Sequence, residues 1–358
     1  MKKLIALLLA AVMVFALCAC GSQPAAAPAS GTETTTTEPG SADPAAAALP
    51  EIEPQTVKLA CIAAEESGLG KSLNKFAELV GERTNGKITV DVFLGGILGT
   101  EPEMKEMVSM NTVQMVSMGW SLLTNKLSYS IAYFGYYQML DRDELEAFYE
   151  SDTAHLFYDA YEAATGVRVI DHSFYQAPRN VMTSKPVENL EQMKGLVMRT
   201  PAGVAVDLDA WKSFGANPVG MALSECFTAF ETGTIEGVEL PCSYMYTYSF
   251  ADAGAKYVIR SEHQIYNNLM GVNAAWWDSL PAEYQQIILQ CAKEAGEYCK
   301  ELEVAQEQEY IDAMVNDQGC TLIEWTPEFK AQLKELVTPV YLEQQKLAIE
   351  EAKALLGK

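Results

Sequence analysis

The sequence predicts an α/β fold with length enough for two lobes, carried behind an export leader and a polar stalk. Three observations predict it. From residue 56 onward, short β-like runs alternate with amphipathic helical runs, the pattern of sheets covered by helices. That part holds about 300 residues, more than a single hydrophobic core usually organises. Ahead of it stand an apolar run and then a segment rich in Pro, Ala, Thr and Ser, neither of which builds a core.

The leader MKKLIALLLAAVMVFALCAC carries two lysines, then an apolar run too short to cross a bilayer, closed by small residues and Cys20. Leu17-Cys18-Ala19-Cys20-Gly21 resembles the bacterial lipobox. That implies a signal peptide over 1–19, cleavage before Cys20, and acylation of Cys20 (palmitate) that tethers the protein to the outer face of the cytoplasmic membrane. The alternative is an ordinary signal peptide cut nearby. Residues 20–55 read as a disordered tether, because they lack the apolar surface to offset chain entropy. A coil of that length spans about 30–35 Å.

Net charge is −23, or −25 once Lys2 and Lys3 leave with the leader (−23 − 2). So acidic a chain repels phosphate backbones, which excludes nucleic acid as a partner. An anion site requires local cations and walls that exclude water. Six cysteines remain after Cys18 and Cys20: Cys61, Cys226, Cys242, Cys291, Cys299 and Cys320. Most read as buried free thiols, with one or two disulfides open in an exported protein. There is no CxxC, and His155, His172 and His263 are scattered, so neither a metal nor another cofactor is expected.

Along the folded part, 56–63 reads as a strand, followed by a helix with Leu73, Phe76, Leu79 and Val80 on one face. Thr84-Asn85-Gly86 turns the chain into a second strand over 87–93, which makes a strand–helix–parallel-strand unit. A loop over 95–99, a helix over 101–110 with Met104, Met107 and Met110 inward, and a strand over 113–118 come next. Trp120, in the loop after that strand, is a candidate to line a cleft. The aromatic stretch 129–140 belongs in a core. Residues 141–164 read as a helix, and 167–170 and 179–183 as strands.

Residues 193–241 organise the rest. Two β-like pieces alternate with helical runs around Arg199, which ends an apolar strand and precedes Pro201, a residue suited to the first turn of a helix. An arginine at a strand's carboxyl end, facing a helix amino terminus, sits where open α/β sheets bind ligands and can grip a carboxylate bidentately. The competing reading is a surface ion pair. Tyr244, Tyr246, Tyr248 and Phe250 alternate, which favours an extended piece. Strands over 257–259 and 265–272, a long helix opened by Pro281, a strand over 321–323 and a helical region over 326–356 complete the chain.

The order of FAELVGERTNGKITVDVFLGGILGTEPEMKEMV, MTSKPVENLEQMKGLVMRTP, GANPVGMALSECFTAFETGTIEGVELP and WWDSLPAEYQQII resembles the DctP-type solute-binding proteins of tripartite ATP-independent periplasmic (TRAP) transporters, over residues 57–329. The resemblance implies a periplasmic-binding-protein-like fold of two α/β lobes joined by hinge strands and a long helix. Lobe I would comprise 56–176 plus about 265–305, and lobe II 177–264 plus the C-terminal helices to 358. It further implies that a small organic acid is held between the lobes and delivered to the small and large membrane subunits of the permease. The carboxylate clamp falls on Arg199, a second arginine on Arg179, the acid after the LG turn on Glu101 or Glu103, the first-strand loop on Glu65, Glu66 and Ser67, and the acid of the late turn on Glu239. Three departures alter the pocket: Leu240 replaces an asparagine, Leu223 replaces an aromatic, and Tyr136-Tyr137-Gln138-Met139 replaces an apolar segment. No GxSxG, metal-spaced histidines or nucleophile–base pair points to an enzyme. A sensor partner in place of a permease, and an exported enzyme, are the alternatives.

Overall fold

The computed structural model describes residues 49–358; the leader, Cys20 and the tether up to residue 48 lie outside the described residues. The first sheet begins with β1 (Gln55–Ala60). Residues 49–54, expected in the tether, lie along this lobe: Tyr284 donates to Pro50 O at 2.9 Å and Lys87 to Ile52 O at 3.2 Å. Ser67 then opens α1 (Gly68–Arg83) by accepting the Gly70 amide at 3.0 Å. The face of α1 bearing Leu73, Phe76, Leu79 and Val80 is buried, as its period requires. β2 (Ile88–Phe93) returns parallel to β1.

At the start of α2 (Glu101–Ser109) the Glu103 carboxylate accepts the Thr100 amide at 2.7 Å. Met104 is buried, but Met110 lies past the helix end and is 65% exposed, contrary to the inward face expected of it. β3 (Met115–Met118) pairs with the other side of β1. Two 3-10 turns, Trp120–Leu123 and Ser130–Phe134, lead to α3 (Arg142–Tyr149) and α4 (Asp152–Thr165). The single helix expected over 141–164 is divided because the Ser151 hydroxyl takes the Ala154 amide as a fresh N-cap. β4 (Val167–Phe174) forms the edge of the first sheet.

The chain then crosses to a second sheet with β5 (Arg179–Thr183), α5 (Leu190–Met193), β6 (Val197–Pro201), α6 (Ala205–Ser213) and β7 (Asn217–Met221). Pro201 ends β6 opposite Met221 instead of starting a helix; α6 begins four residues on, past Gly203 at φ 80°. α7 (Cys226–Glu231) and β8 (Gly237–Leu240) follow. Where alternation suggested an extended piece, α8 (Cys242–Thr247) is helical. Tyr244 and Tyr248 are four residues apart and stack with centroids 6.4 Å apart, and packing of α8 on a later helix overrides the local preference. β9 (Tyr257–Gln264) stays in the second sheet, and β10 (Asn268–Asn273) returns to the first.

After α9 (Ala274–Asp278), the 35-residue α10 (Ala282–Asn316) runs about 52 Å, packing on α1 and β4 and then on α8. Gly296 allows the approach to β4, since a Cβ there would lie 2.6 Å from Ser173 Cβ and 2.7 Å from its carbonyl oxygen. β11 (Thr321–Glu324) joins the second sheet, and α11 (Pro327–Leu355) packs on α4 and on α6, so it touches both lobes. The sheet orders are β2-β1-β3-β10-β4 and β11-β9-β5-β8-β6-β7. The fold is thus a two-lobed α/β architecture crossed three times by the chain, at β4–β5, at β9–β10 and along α10. All six cysteines of the described residues are free and buried.

Candidate functional site

A cleft lies between the sheets, at the carboxyl ends of β1, β3 and β8 and beside the end of β6. This is the crevice in which open α/β sheets take ligands. Parallel β6 and β7 bring Arg199 to its wall, and the side chain is buried although it carries a full charge. Its Nε donates to Met221 O at 2.9 Å. Among the described residues no carboxylate lies within 4.0 Å of it. A buried guanidinium without a counter-ion is costly unless an anion joins it.

Arg179 also borders the cleft, but its charge is matched. β5 and β8 are antiparallel neighbours, and the Arg179 Nε and NH2 groups donate to Glu239 Oε2 and Oε1 at 2.6 and 2.8 Å. Its NH1 donates to Tyr266 OH at 2.8 Å. Burial alone would raise the Glu239 pKa, yet the charge and hydrogen bonds of Arg179, with His263 nearby, hold it at about 2. His263 Nε2 stands 3.5 Å from the same carboxylate, and burial lowers the imidazole's pKa against the pull of that charge. Behind them, burial and the Glu239 charge push Asp207 on α6 up to about 8, so this acid is mostly neutral at pH 7.

Across the cleft, Glu101 opens α2 and accepts from Ser121 Oγ at 3.3 Å. Lys105, one turn on, is buried and donates to Ser121 O. Burial brings its ammonium down to about 8 while the Glu101 charge opposes the shift. Tyr266, Tyr244, Leu223 and Leu240 form an apolar wall. Gly119 makes room for Tyr266, because a Cβ there would lie 2.6 Å from its Cε2. At the mouth, Tyr248 OH donates to Ile62 O at 3.0 Å, joining the two lobes.

Of the residues singled out in the sequence, Arg199, Arg179, Glu101, Leu223 and Leu240 meet at this cleft, and Glu239 lies directly behind it. Trp120 does not. It is fully buried, with centroids 4.6 Å from Phe134 and 6.0 Å from Tyr149, and Nε1 donates to Ser130 Oγ at 3.0 Å. Its neighbours in the 129–149 aromatic stretch draw it into the core. Glu65 and Glu66 border a separate depression with Lys71 and Lys75 on the outside of α1, and Ser67 is occupied in capping that helix. Ser117, Gln176, Tyr266 and Asn268 were missed. Gln176 and Asn268 sit at the crossings between sheets, which short-range periodicity does not mark.

Comparisons with known proteins place this geometry in a family. A profile described as "Bacterial extracellular solute-binding protein, family 7" (DctP) matches residues 59–347. The C4-dicarboxylate-binding periplasmic protein DctP of Rhodobacter capsulatus is 27% identical over 293 residues, 81% of this chain and 86% of that one. A TRAP periplasmic solute-binding protein from Citrobacter koseri, solved with bound D-glucuronate, is similar with a TM-score of 0.74 and 26% identity, covering 83% of this chain and 98% of that one. Another, from Roseobacter denitrificans with bound L-galactonate, gives 0.75 and 26%, covering 84% and 99%. With its two lobes, its cleft at the strand ends and a profile match over most of its length, the chain belongs to the DctP family of extracytoplasmic solute-binding proteins.

Proposed function

We propose that this protein captures a small organic acid between its lobes, with Arg199 as the carboxylate clamp, and hands it to the small and large membrane subunits of a TRAP permease. The observation that carries the reading is the state of Arg199, buried at the cleft with no carboxylate of the described residues within 4.0 Å. Arg179 assists by pairing with Glu239, which fixes the wall on which the ligand rests. The two solved relatives carry bound carboxylates, and the Rhodobacter relative is named for one. Acylation at Cys20 is the proposed anchor, leaving the lobes on the outer face of the cytoplasmic membrane within reach of the permease. The bound acid leaves chemically unchanged, as befits a receptor.

Calorimetry with a panel of organic acids tests this directly. Arg199→Ala should weaken binding of whichever acid binds by about 2–5 kcal/mol, the cost of truncating one partner of a buried charge pair. Unchanged affinity in a folded variant removes Arg199 from the role.

A further inference from the structure

We infer that Arg142, on α3 and outside the ligand cleft, is a positioning residue for capture: it pins two of the chain's crossings between the lobes and so limits the angles at which the lobes can meet around a bound acid. The inference rests on the capture reading and adds to it a part of the frame that the ligand does not touch.

The two strand crossings each have two sides. In the first, Gln176 borders the cleft while its neighbour Tyr175 borders a separate depression; in the second, Asn268 borders the cleft and Asn267 the depression. Successive residues of an extended chain face opposite ways, so each crossing shows one side to the ligand and the other to α3. On the cleft side Gln176 Nε2 donates to Asn268 Oδ1 at 3.1 Å, and Asn268 Nδ2 donates onward to Ser117 Oγ at 3.4 Å. On the far side the tie is Arg142. Its NH2 donates to Gln176 O at 2.7 Å, its NH1 donates to Asn267 Oδ1 at 3.0 Å, and its guanidinium lies 4.1 Å over the Tyr175 ring. One planar fork thus holds both crossings, a geometry that a point-like ammonium does not reproduce.

The helix that carries Arg142 is itself built onto the second crossing. Arg142, Glu146 and Tyr149 are spaced i, i+4 and i+7, which puts them on one face of α3. Asn267 meets all three: its Nδ2 donates to Glu146 Oε1 at 3.0 Å, its backbone amide to Tyr149 OH at 2.7 Å, and its Oδ1 accepts from Arg142. The same Nδ2 donates to His172 O at 3.0 Å, so both ends of this buried amide are committed to the joint. α10, the third crossing, joins it through Cys299 Sγ, which donates to Tyr175 O at 3.3 Å. The three spans therefore converge on a joint anchored in lobe I, and Arg142 is the charged group that bridges two of them. A ligand selects one lobe angle from those the joint allows. A looser joint lowers the share of molecules at the binding angle, and the apparent affinity falls with that share.

The test places nitroxide labels on Ile97→Cys and Val219→Cys, exposed on opposite lobes, in the full mature chain carrying Cys20→Ser; the six other native thiols are buried. Their distance distribution, read by pulsed electron spin resonance without ligand, should be at least about twice as wide with Arg142→Ala as with Arg142 in place. Arg142→Lys keeps a charge over Tyr175 without the fork, so its width should fall between the two, and it carries the test if Arg142→Ala does not fold. Calorimetry with the panel of organic acids, D-glucuronate and succinate among them, should show whichever acid the wild type binds held about tenfold more weakly by Arg142→Ala. A lower melting temperature with an unchanged distribution in the folded variants makes Arg142 a stabilising residue only and overturns the inference. A wider distribution with unchanged affinity overturns it as well. Binding of no acid by the wild type counts against the capture reading, while the label distances still decide whether Arg142 limits the lobe angle.

Discussion

Arg179 and Glu239 form a two-pronged ion pair sealed from solvent, with Nε to Oε2 at 2.6 Å and NH2 to Oε1 at 2.8 Å. The same Arg179 NH2 also reaches the Glu239 carbonyl at 2.7 Å, so the pair staples β5 to β8 at the back of the cleft. Glu239→Gln leaves a buried guanidinium without its counter-charge. Stability should fall by about 3–5 kcal/mol, read from urea unfolding midpoints. A loss below about 1 kcal/mol would mean that the pair is dispensable.

The same network sets a pH profile with two opposed parts. Glu239 is held at about 2 against an ordinary value of 4.5, so its contribution is complete above pH 4.5 and is lost as pH falls toward 2. Asp207 is raised from 3.8 to about 8, so the folded state holds a proton that the unfolded chain releases. Its burial costs nothing below pH 3.8 and costs progressively more as pH rises to about 8. Asp207→Asn should therefore melt above wild type at pH 8, by the equivalent of a few kcal/mol, and match it near pH 4. Parallel melting curves for the two proteins across that range would refute the buried proton.

Tyr248→Phe removes the hydrogen bond from the Tyr248 hydroxyl to Ile62 O and leaves the ring packing in place. Because the bond joins the lobes, its loss should fall on the closed form. Affinity for a bound acid should drop by about 0.5–1.5 kcal/mol through faster release, measurable by stopped-flow displacement. A slower on-rate with unchanged release would contradict a closing contact.

Gly296→Ala puts a methyl group 2.6 Å from Ser173 Cβ and 2.7 Å from the Ser173 carbonyl oxygen. A backbone atom cannot swing aside, so α10 must shift from β4. The expected loss is about 1–3 kcal/mol in denaturant unfolding, despite the better helix propensity of alanine.

Where local chemistry and tertiary demand agree, the sequence was readable. The buried face of α1, the parallel return of β2 and a long helix opened by Pro281 follow from local pattern, and Arg199 stood out as a lone cation in an apolar stretch, although it lies mid-strand in β6 and does not end it. Where distant partners decide, it was not. Trp120 lies in a loop but is claimed by aromatic residues up to about forty positions away, and the tyrosines of α8 alternate in sequence yet pack as a helix. Pro201 fits a helix start equally well as a strand end, and only its pairing with Met221 decides between them. Gln176 and Asn268 gain their place from two crossings that converge, a relation no window of neighbouring residues contains.

The triple crossing between the lobes has a mechanical consequence. Lobes joined by three spans are expected to close by bending about those spans rather than by sliding past one another. One distance then reports the whole motion. Ile97, exposed beside the mouth on one lobe, and Val219, exposed on edge strand β7 of the other, offer a pair of labelling points whose separation should track ligand occupancy as a single continuous variable.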